Sequence, residues 1–351
     1  MGPLRFWLCG AALALGSLAL AAPAAAPPMP VAASPQTPCP LQPMPRASGL
    51  RAQAVTFGWR PLRPAAQAQL PASTAHPDPI AGTLLWPTDP HGPLPAVVLL
   101  HGSGGNQCDL YGAARGLAAQ GYVALTLTQP DNRSASSETS GAEALAGALA
   151  FLASPENPAL AWTRPDDVAL IGHSEGAGVV SLAQGLPGFG AVRAIVALDN
   201  LRRWLVGDPG SAVRSCARPP SAEVTPRVPA LGLAKDGPCT ATGDTDPTVK
   251  LSGWAAWQAH GIPAAELVPA GYGHLTFTDR NATPEQRAWQ VGLMAAWLDR
   301  WLKADPDALK ALSCQAHAPL AAALSTHYRS ALALPGQPVT RDLRATLQAC
   351  P

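Results

Sequence analysis

Residues 172–176 read Gly172-His173-Ser174-Glu175-Gly176, a serine set between two glycines. A strand from Val168 to Gly172 is expected just before it, and the apolar run AGVVSLAQGL, of helical period, follows at once. The order strand, tight turn, helix lifts a serine hydroxyl above a sheet edge, where it can attack an electrophilic carbon. Glycines at 172 and 176 relieve the crowding of so sharp a turn. By chance the five-residue pattern arises about 0.15 times in a chain of this composition, so its weight comes from the strand and helix around it. The turn also puts the backbone N–H of Glu175 at a helix N-terminus, where it can face the charge that develops on an attacked carbonyl oxygen.

A serine nucleophile needs a base. His274, in Gly271-Tyr272-Gly273-His274, follows the last expected strand, where a loop can bring an imidazole over the serine. An ordinary imidazole titrates near about pH 6.5, so it can take the hydroxyl proton and return it to a leaving group. A second glycine-rich loop, His101-Gly102-Ser103-Gly104-Gly105, comes directly after the strand Ala96 to Leu100. Its small side chains let a substrate approach the backbone, and the N–H of Ser103 is the expected second oxyanion donor, with Gly104 as its neighbouring alternative. The loop lacks the lysine of a phosphate-binding P-loop. His101 and His173 flank these donors and read as loop-bracing residues.

The elements that must position these groups alternate along the chain. Eight strands are expected: Ala52 to Phe57, Gly82 to Trp86, Ala96 to Leu100, Val123 to Leu127, Val168 to Gly172, Ala194 to Leu198, Ala230 to Ala234 and Ala265 to Val268. Helical stretches fall near Leu110 to Ala119, Ala142 to Leu152, Gly176 to Leu186, Leu251 to His260 and Glu285 to Leu302. The runs AVVLL and VALIG lack polar alternation, as parallel strands covered by helices on both faces should. Residues 304–351 are rich in Ala and Leu and read as a helical extension.

Residues 1–26 carry one cation, Arg5, then an apolar run with small residues at Ala19 and Ala21, the layout of a cleaved signal peptide. Residues 27–48 read as a Pro- and Ala-rich linker, and 49–303 as the main domain. No later stretch is apolar enough to span a bilayer, so a secreted or periplasmic protein without stable membrane insertion after signal cleavage is expected. Six cysteines remain beyond the leader: Cys39, Cys108, Cys216, Cys239, Cys314 and Cys350. An even set suits an oxidising compartment, and Cys216 with Cys239 and Cys314 with Cys350 are the favoured pairs, because each brackets a segment with little core of its own. No C-x-x-C pair suggests a zinc site, and no metal is expected. With 47% apolar residues, 13% charged and a net charge of +1, the 351 residues suit a deep-cored globular domain and supply no basic field for nucleic acid. A small, largely uncharged molecule is the expected partner.

With HGSGG after one strand, GHSEG after a later one, and an acid and a histidine downstream in the order Ser, Asp, His, residues 50–303 resemble the α/β-hydrolase superfamily. GTLLWP followed by LPAVVLLHGSGG looks most like dienelactone-hydrolase-type proteins and secreted bacterial-type esterases. The resemblance implies a mainly parallel eight-stranded sheet flanked by helices, no cofactor, and hydrolysis of carboxylic esters through an acyl-enzyme on Ser174. A peptidase or amidase of the same fold, or an exported binding protein that only holds ligand in the cleft, are the alternatives; short acyl esters against peptide amides, and phosphonate labelling of Ser174, discriminate them.

Four residues compete for the acid that orients His274. Asp236 is favoured: in the resembling families the acid most often follows the strand after next from the nucleophile, and Lys235-Asp236-Gly237 stands at the carboxyl end of that strand. Asp199, after Ala194 to Leu198, is the rival. Asp244 and Asp246 lie in the turn-rich TATGDTDPT and read as helix caps.

Overall fold

Strands with apolar residues at every position need cover on both faces, and the sheet built from them has it. The computed structural model describes residues 49–68, 70, 79–130, 137–199, 201, 225–238, 246–313 and 317–350. The expected leader at 1–26 and the whole of the linker at 27–48 belong to the residues outside this set. Among the described residues nine strands form one sheet: β1 (Leu50–Phe57), β2 (Ile80–Pro87), β3 (Leu94–Leu100), β4 (Val123–Leu127), β5 (Thr163–His173), β6 (Val192–Leu198), β7 (Ala230–Leu233), β8 (Ala264–Leu267) and β9 (Ala331–Ala333). Their spatial order is β1-β2-β4-β3-β5-β6-β7-β8-β9. From β4 through β8 every neighbour pairs in parallel, while β1, β2 and β9 run antiparallel to their neighbours at the two sides.

Helices cover both faces. They are α1 (Pro64–Gln67), α2 (Tyr111–Ala119), α3 (Ser137–Leu152), α4 (Glu175–Ala183), α5 (Ser252–Ala259), α6 (Pro284–Leu302), α7 (His317–Ala323) and α8 (Leu343–Gln348). Successive side chains of a strand point to opposite faces. Val98 and Leu100 of β3 therefore join Leu170, Val180, Trp254 and Trp257 in one core, and Val97 and Leu99 join Ile171, Leu117, Met294 and Trp297 in the other. The indole N–H groups of Trp254 and Trp257 donate to the carbonyls of Ala264 (3.2 Å) and Val228 (2.9 Å), so these bulky rings enter the core with their polar atoms satisfied. Helix α6 starts on a reciprocal capping box between Thr283 and Gln286 with Pro284 in its first turn, which fixes where the chain leaves the sheet edge.

All eight expected strands and all five expected helices are present, within a few residues of their expected ends. Two expectations need correction. The sheet has nine strands, not eight, and the stretch after residue 303 is not a purely helical extension, because it supplies β9 as well as α7 and α8. A three-residue Ala-Leu-Ala strand has no propensity signal of its own; pairing of Ala331–Ala333 with β8 creates it. Leu320, Leu324, Leu332, Leu343 and Leu347 are part of the second core, so these residues complete the domain.

Among the described residues no helix is long and apolar enough to cross a membrane. Cys39, Cys216, Cys239 and Cys314 lie outside the described residues, so both favoured pairings involve positions that are not described.

Candidate active site

The parallel strands end in step. Leu100 of β3 lies opposite Gly172 of β5, His173 opposite Leu198 of β6, Leu198 opposite Leu233 of β7, and Leu233 opposite Leu267 of β8. Each chain that leaves this edge carries one of the groups singled out in the sequence. Convergence at the carboxyl edge of a parallel sheet is where open α/β folds place their sites.

Ser174 stands between β5 and α4 with φ 56° and ψ −114°, a backbone region that side chains other than glycine rarely adopt. Its N–H still donates to the Leu198 carbonyl (2.9 Å), and its own carbonyl accepts from Ala177 (3.1 Å), so the strained residue is held by the sheet on one side and the helix on the other. The flanking glycines show why the turn can be so tight. A Cβ on Gly172 would lie 2.0 Å from the Gly176 carbonyl oxygen, and one on Gly176 would lie 2.5 Å from that of Leu100. Both obstacles are backbone, which cannot step aside as a flexible side chain could.

The HGSGG loop is pressed against this turn: a Cβ on Gly102 would come 2.8 Å from Cβ of Ser174. His101, buried beneath it, sets the loop's direction. Its Nε2 accepts from the Gln129 N–H (3.0 Å), so Nδ1 carries the hydrogen and donates it to the Gly102 carbonyl (2.7 Å). Burial pushes the His101 pKa down and keeps the ring neutral, as this pattern requires. The Gly102 carbonyl also accepts from Gly105 N–H (3.0 Å). The Ser103 N–H, antiparallel to that carbonyl across a trans peptide, is directed away from the His101 ring. Glu175, the other expected donor, is the first residue of α4, where the N–H has no acceptor within the helix.

His274 opens a short 3-10 turn, His274–Phe277, and its Nδ1 is hydrogen-bonded to Oδ2 of Asp199. Since a carboxylate only accepts, Nδ1 bears the hydrogen and Nε2 is left as the basic atom. Asp199 follows β6 directly and takes φ 62°, a left-handed conformation that aspartate tolerates better than most residues. Its N–H donates to Leu233, and its Oδ1 accepts from the Lys235 N–H (3.0 Å). Burial pushes its pKa up, but the hydrogen bonds from His274 and Lys235, together with the attraction to a protonated His274 and to Lys235, outweigh this and hold it at about 2.

The acid that faces His274 is thus Asp199 and not Asp236, the residue favoured from strand order. Asp236 has other partners. Its Oδ2 accepts from Gly271 N–H (2.9 Å), its Oδ1 from the Ser325 hydroxyl (2.5 Å), and its N–H donates to the Tyr272 carbonyl (2.7 Å). It braces the loop that carries the histidine. Asp246 accepts from the N–H of Thr248 (2.8 Å) in a local turn and not as the side-chain helix cap expected of it, and Asp244 lies outside the described residues.

His173 completes the cluster. Its ring lies 4.7 Å from that of His274, and its Nε2–H donates to the His274 backbone carbonyl (2.9 Å). Burial first, then the nearby His274 charge, lowers its pKa to about 4. Ser174 and His274 are linked here through His173, and no side-chain hydrogen bond between the two is made among the described residues.

Motif reading did not single out two further groups. Asp109 and Arg280 form a two-pronged ion pair beside the HGSGG loop. Glu266, on β8 and fully buried, accepts from Leu201 N–H (3.3 Å) just beyond Asp199, and burial raises its pKa well above the usual carboxylate range. Neither carries a local sequence signature, because the partners of each are more than sixty residues away. Among the described residues no three His, Cys, Asp or Glu side chains converge as a metal-binding group. The chain matches no family model and no curated protein sequence.

Proposed function

We propose that this chain is an exported serine hydrolase of the α/β-hydrolase fold that cleaves carboxylic esters, with Ser174 as nucleophile, His274 as general base and Asp199 as the orienting acid. The observation that carries the reading is Ser174 at φ 56° in a strand-to-helix turn, beside an Asp199–His274 pair delivered from the same edge of the sheet, after β6 and β8. Strain of this kind persists only where the surroundings enforce it. The oxyanion loop between β3 and α2 and the chain order Ser, Asp, His support the same reading.

In the proposed cycle the Ser174 hydroxyl oxygen attacks the ester carbonyl carbon while Nε2 of His274 takes its proton. The carbonyl π electrons move to oxygen, and the N–H groups of Ser103 and Glu175 stabilise the resulting charge. Collapse breaks the bond to the alcohol oxygen, which leaves with the proton from Nε2. Water then repeats the sequence on the acyl-serine, with His274 again as base, and releases the carboxylic acid. Asp199, ionised above about pH 2, offsets the imidazolium charge in both halves.

An ester chain-length series on the purified protein tests this, with Ser174→Ala as control. Turnover that disappears in Ser174→Ala, and stoichiometric labelling of Ser174 by an active-site phosphonate, are expected. Ester turnover by Ser174→Ala within a few-fold of the parent protein would sink the mechanism, and cleavage of peptide amides in preference to esters would redirect it to a peptidase.

A further inference from the structure

The oxyanion loop and the loop carrying the base come from strands far apart in sequence, yet both must be held to within a fraction of an ångström. One side-chain pair spans them. Arg280 donates from Nε to Oδ1 of Asp109 (2.8 Å) and from Nη2 to Oδ2 (2.9 Å), the paired geometry in which guanidinium and carboxylate bind most specifically. Asp109 is buried and lies under the end of the HGSGG loop: a Cβ on Gly105 would fall 2.3 Å from its Oδ2. Gly105 in turn bonds to the Gly102 carbonyl, and Gly102 packs so close to the nucleophile turn that a Cβ on it would fall 2.8 Å from that of Ser174. On the other side, five residues separate Arg280 from His274. They are tied by bonds from Thr276 N–H to Gly273 (3.1 Å) and from Thr278 N–H and hydroxyl to Leu275 (3.1 and 2.8 Å), so a displacement at 280 is carried back to 274.

We propose that the Asp109–Arg280 pair is a positioning clamp that holds the Ser103–Gly105 backbone and His274 in register for turnover at Ser174, an inference that rests on the hydrolase reading. The fold does not depend on it. Adjacent contacts fasten the same two segments without the Arg280 side chain: Asp279 N–H to the Asp109 carbonyl (2.8 Å) and Gly112 N–H to Asp279 (2.5 Å). Loss of the guanidinium leaves these in place. What it removes is the force that seats the Asp109 carboxylate under Gly105, and misplacement of reacting groups by about 1 Å can cost on the order of 100-fold in rate.

The test is steady-state ester hydrolysis by Arg280→Ala and Arg280→Lys, with Ser174→Ala as control. Both Arg280 variants are expected to lose kcat by about 10- to 100-fold with KM changed less than about three-fold, since lysine cannot make the two-pronged bond. The Arg280 side chain is 45% exposed, so added guanidinium ion at non-denaturing concentration can reach the gap in Arg280→Ala. It is expected to restore part of kcat, where sodium chloride at equal ionic strength does not. Variants with kcat within two-fold of the parent, or a loss that falls equally on KM and is indifferent to guanidinium, overturn the clamp alone. A parent protein whose ester turnover is absent, or survives in Ser174→Ala, overturns the hydrolase reading and the clamp with it.

Discussion

Ser174 and Asp199 sit at the ends of adjacent strands and share an uncommon property, a positive φ without being glycine. Each places a side chain of the proposed triad above the sheet edge by a turn that the backbone resists. The strand-to-helix turn at Ser174 was legible in the sequence because a strand, a glycine-flanked serine and a helix occur in one continuous run, and the place of His274 because it follows the last expected strand. The acid was not. Asp199 and Asp236 both follow strands at the same edge, and which carboxylate turns to His274 depends on φ at 199 and on Gly271 and Ser325 engaging Asp236. Asp199→Asn is therefore expected to reduce kcat by roughly 10³- to 10⁴-fold with stability retained, as the orienting carboxylate is lost. Asp236→Asn, which keeps one acceptor oxygen for the His274 loop, is expected to stay within about ten-fold. The reverse order of effects would return the role to Asp236. His173 gives a prediction in pH. In the unfolded chain it binds a proton near its ordinary value of about 6.5, while burial and the His274 charge hold it to about 4 in the folded protein. Between those values the unfolded state binds more protons, so this contribution to stability is complete above about pH 6.5 and is lost as pH falls toward 4. It amounts to about 3 kcal/mol. Urea unfolding at pH 7, 5.5 and 4 should show a shallower decline for His173→Gln than for the parent; parallel declines would contradict it.

Elements were more legible than residues, for a physical reason. A strand covered on both faces needs an unbroken apolar run, and AVVLL or VALIG can satisfy little else in a chain with helices on either side. β9 escaped because Ala-Leu-Ala carries no such run and is a strand only by virtue of β8. The turn between β5 and α4 is where element and site are the same object. Gly176→Ala would put a Cβ 2.5 Å from the Leu100 carbonyl and 2.6 Å from that of His101, so β3 and α4 must part. A stability loss of about 1–3 kcal/mol is expected from such overpacking, with activity lost far out of proportion because the HGSGG loop begins where β3 is displaced. Thermal unfolding and ester turnover measured on the same preparation check this. A variant of parental stability and kcat would show that the close packing of the turn is dispensable.

At the scale of the molecule, the sheet's last edge is met by the chain itself. The backbone of Leu332 exchanges hydrogen bonds with Thr340 in both directions, each 2.8 Å, on the side of β9 away from β8. A sheet edge with open N–H and C=O groups is a template for another molecule's strand, and natural proteins blunt it with short strands or a covering segment. Both devices are present here: β9 has three residues, and the return at Thr340 occupies the middle one. Deletion of residues 335–351 removes that cover together with Leu343 and Leu347 from the core. The shortened protein is expected to self-associate through this edge, seen as concentration-dependent growth in light scattering and binding of an amyloid dye, and a monodisperse shortened protein would argue otherwise. Under the proposed export, in which a chain crosses a membrane unfolded and folds afterwards, the order of events then matters. Until residues near 340 have turned back, the edge of β8 and β9 is available to any passing strand, and colloidal safety arrives only with the last part of the domain to dock.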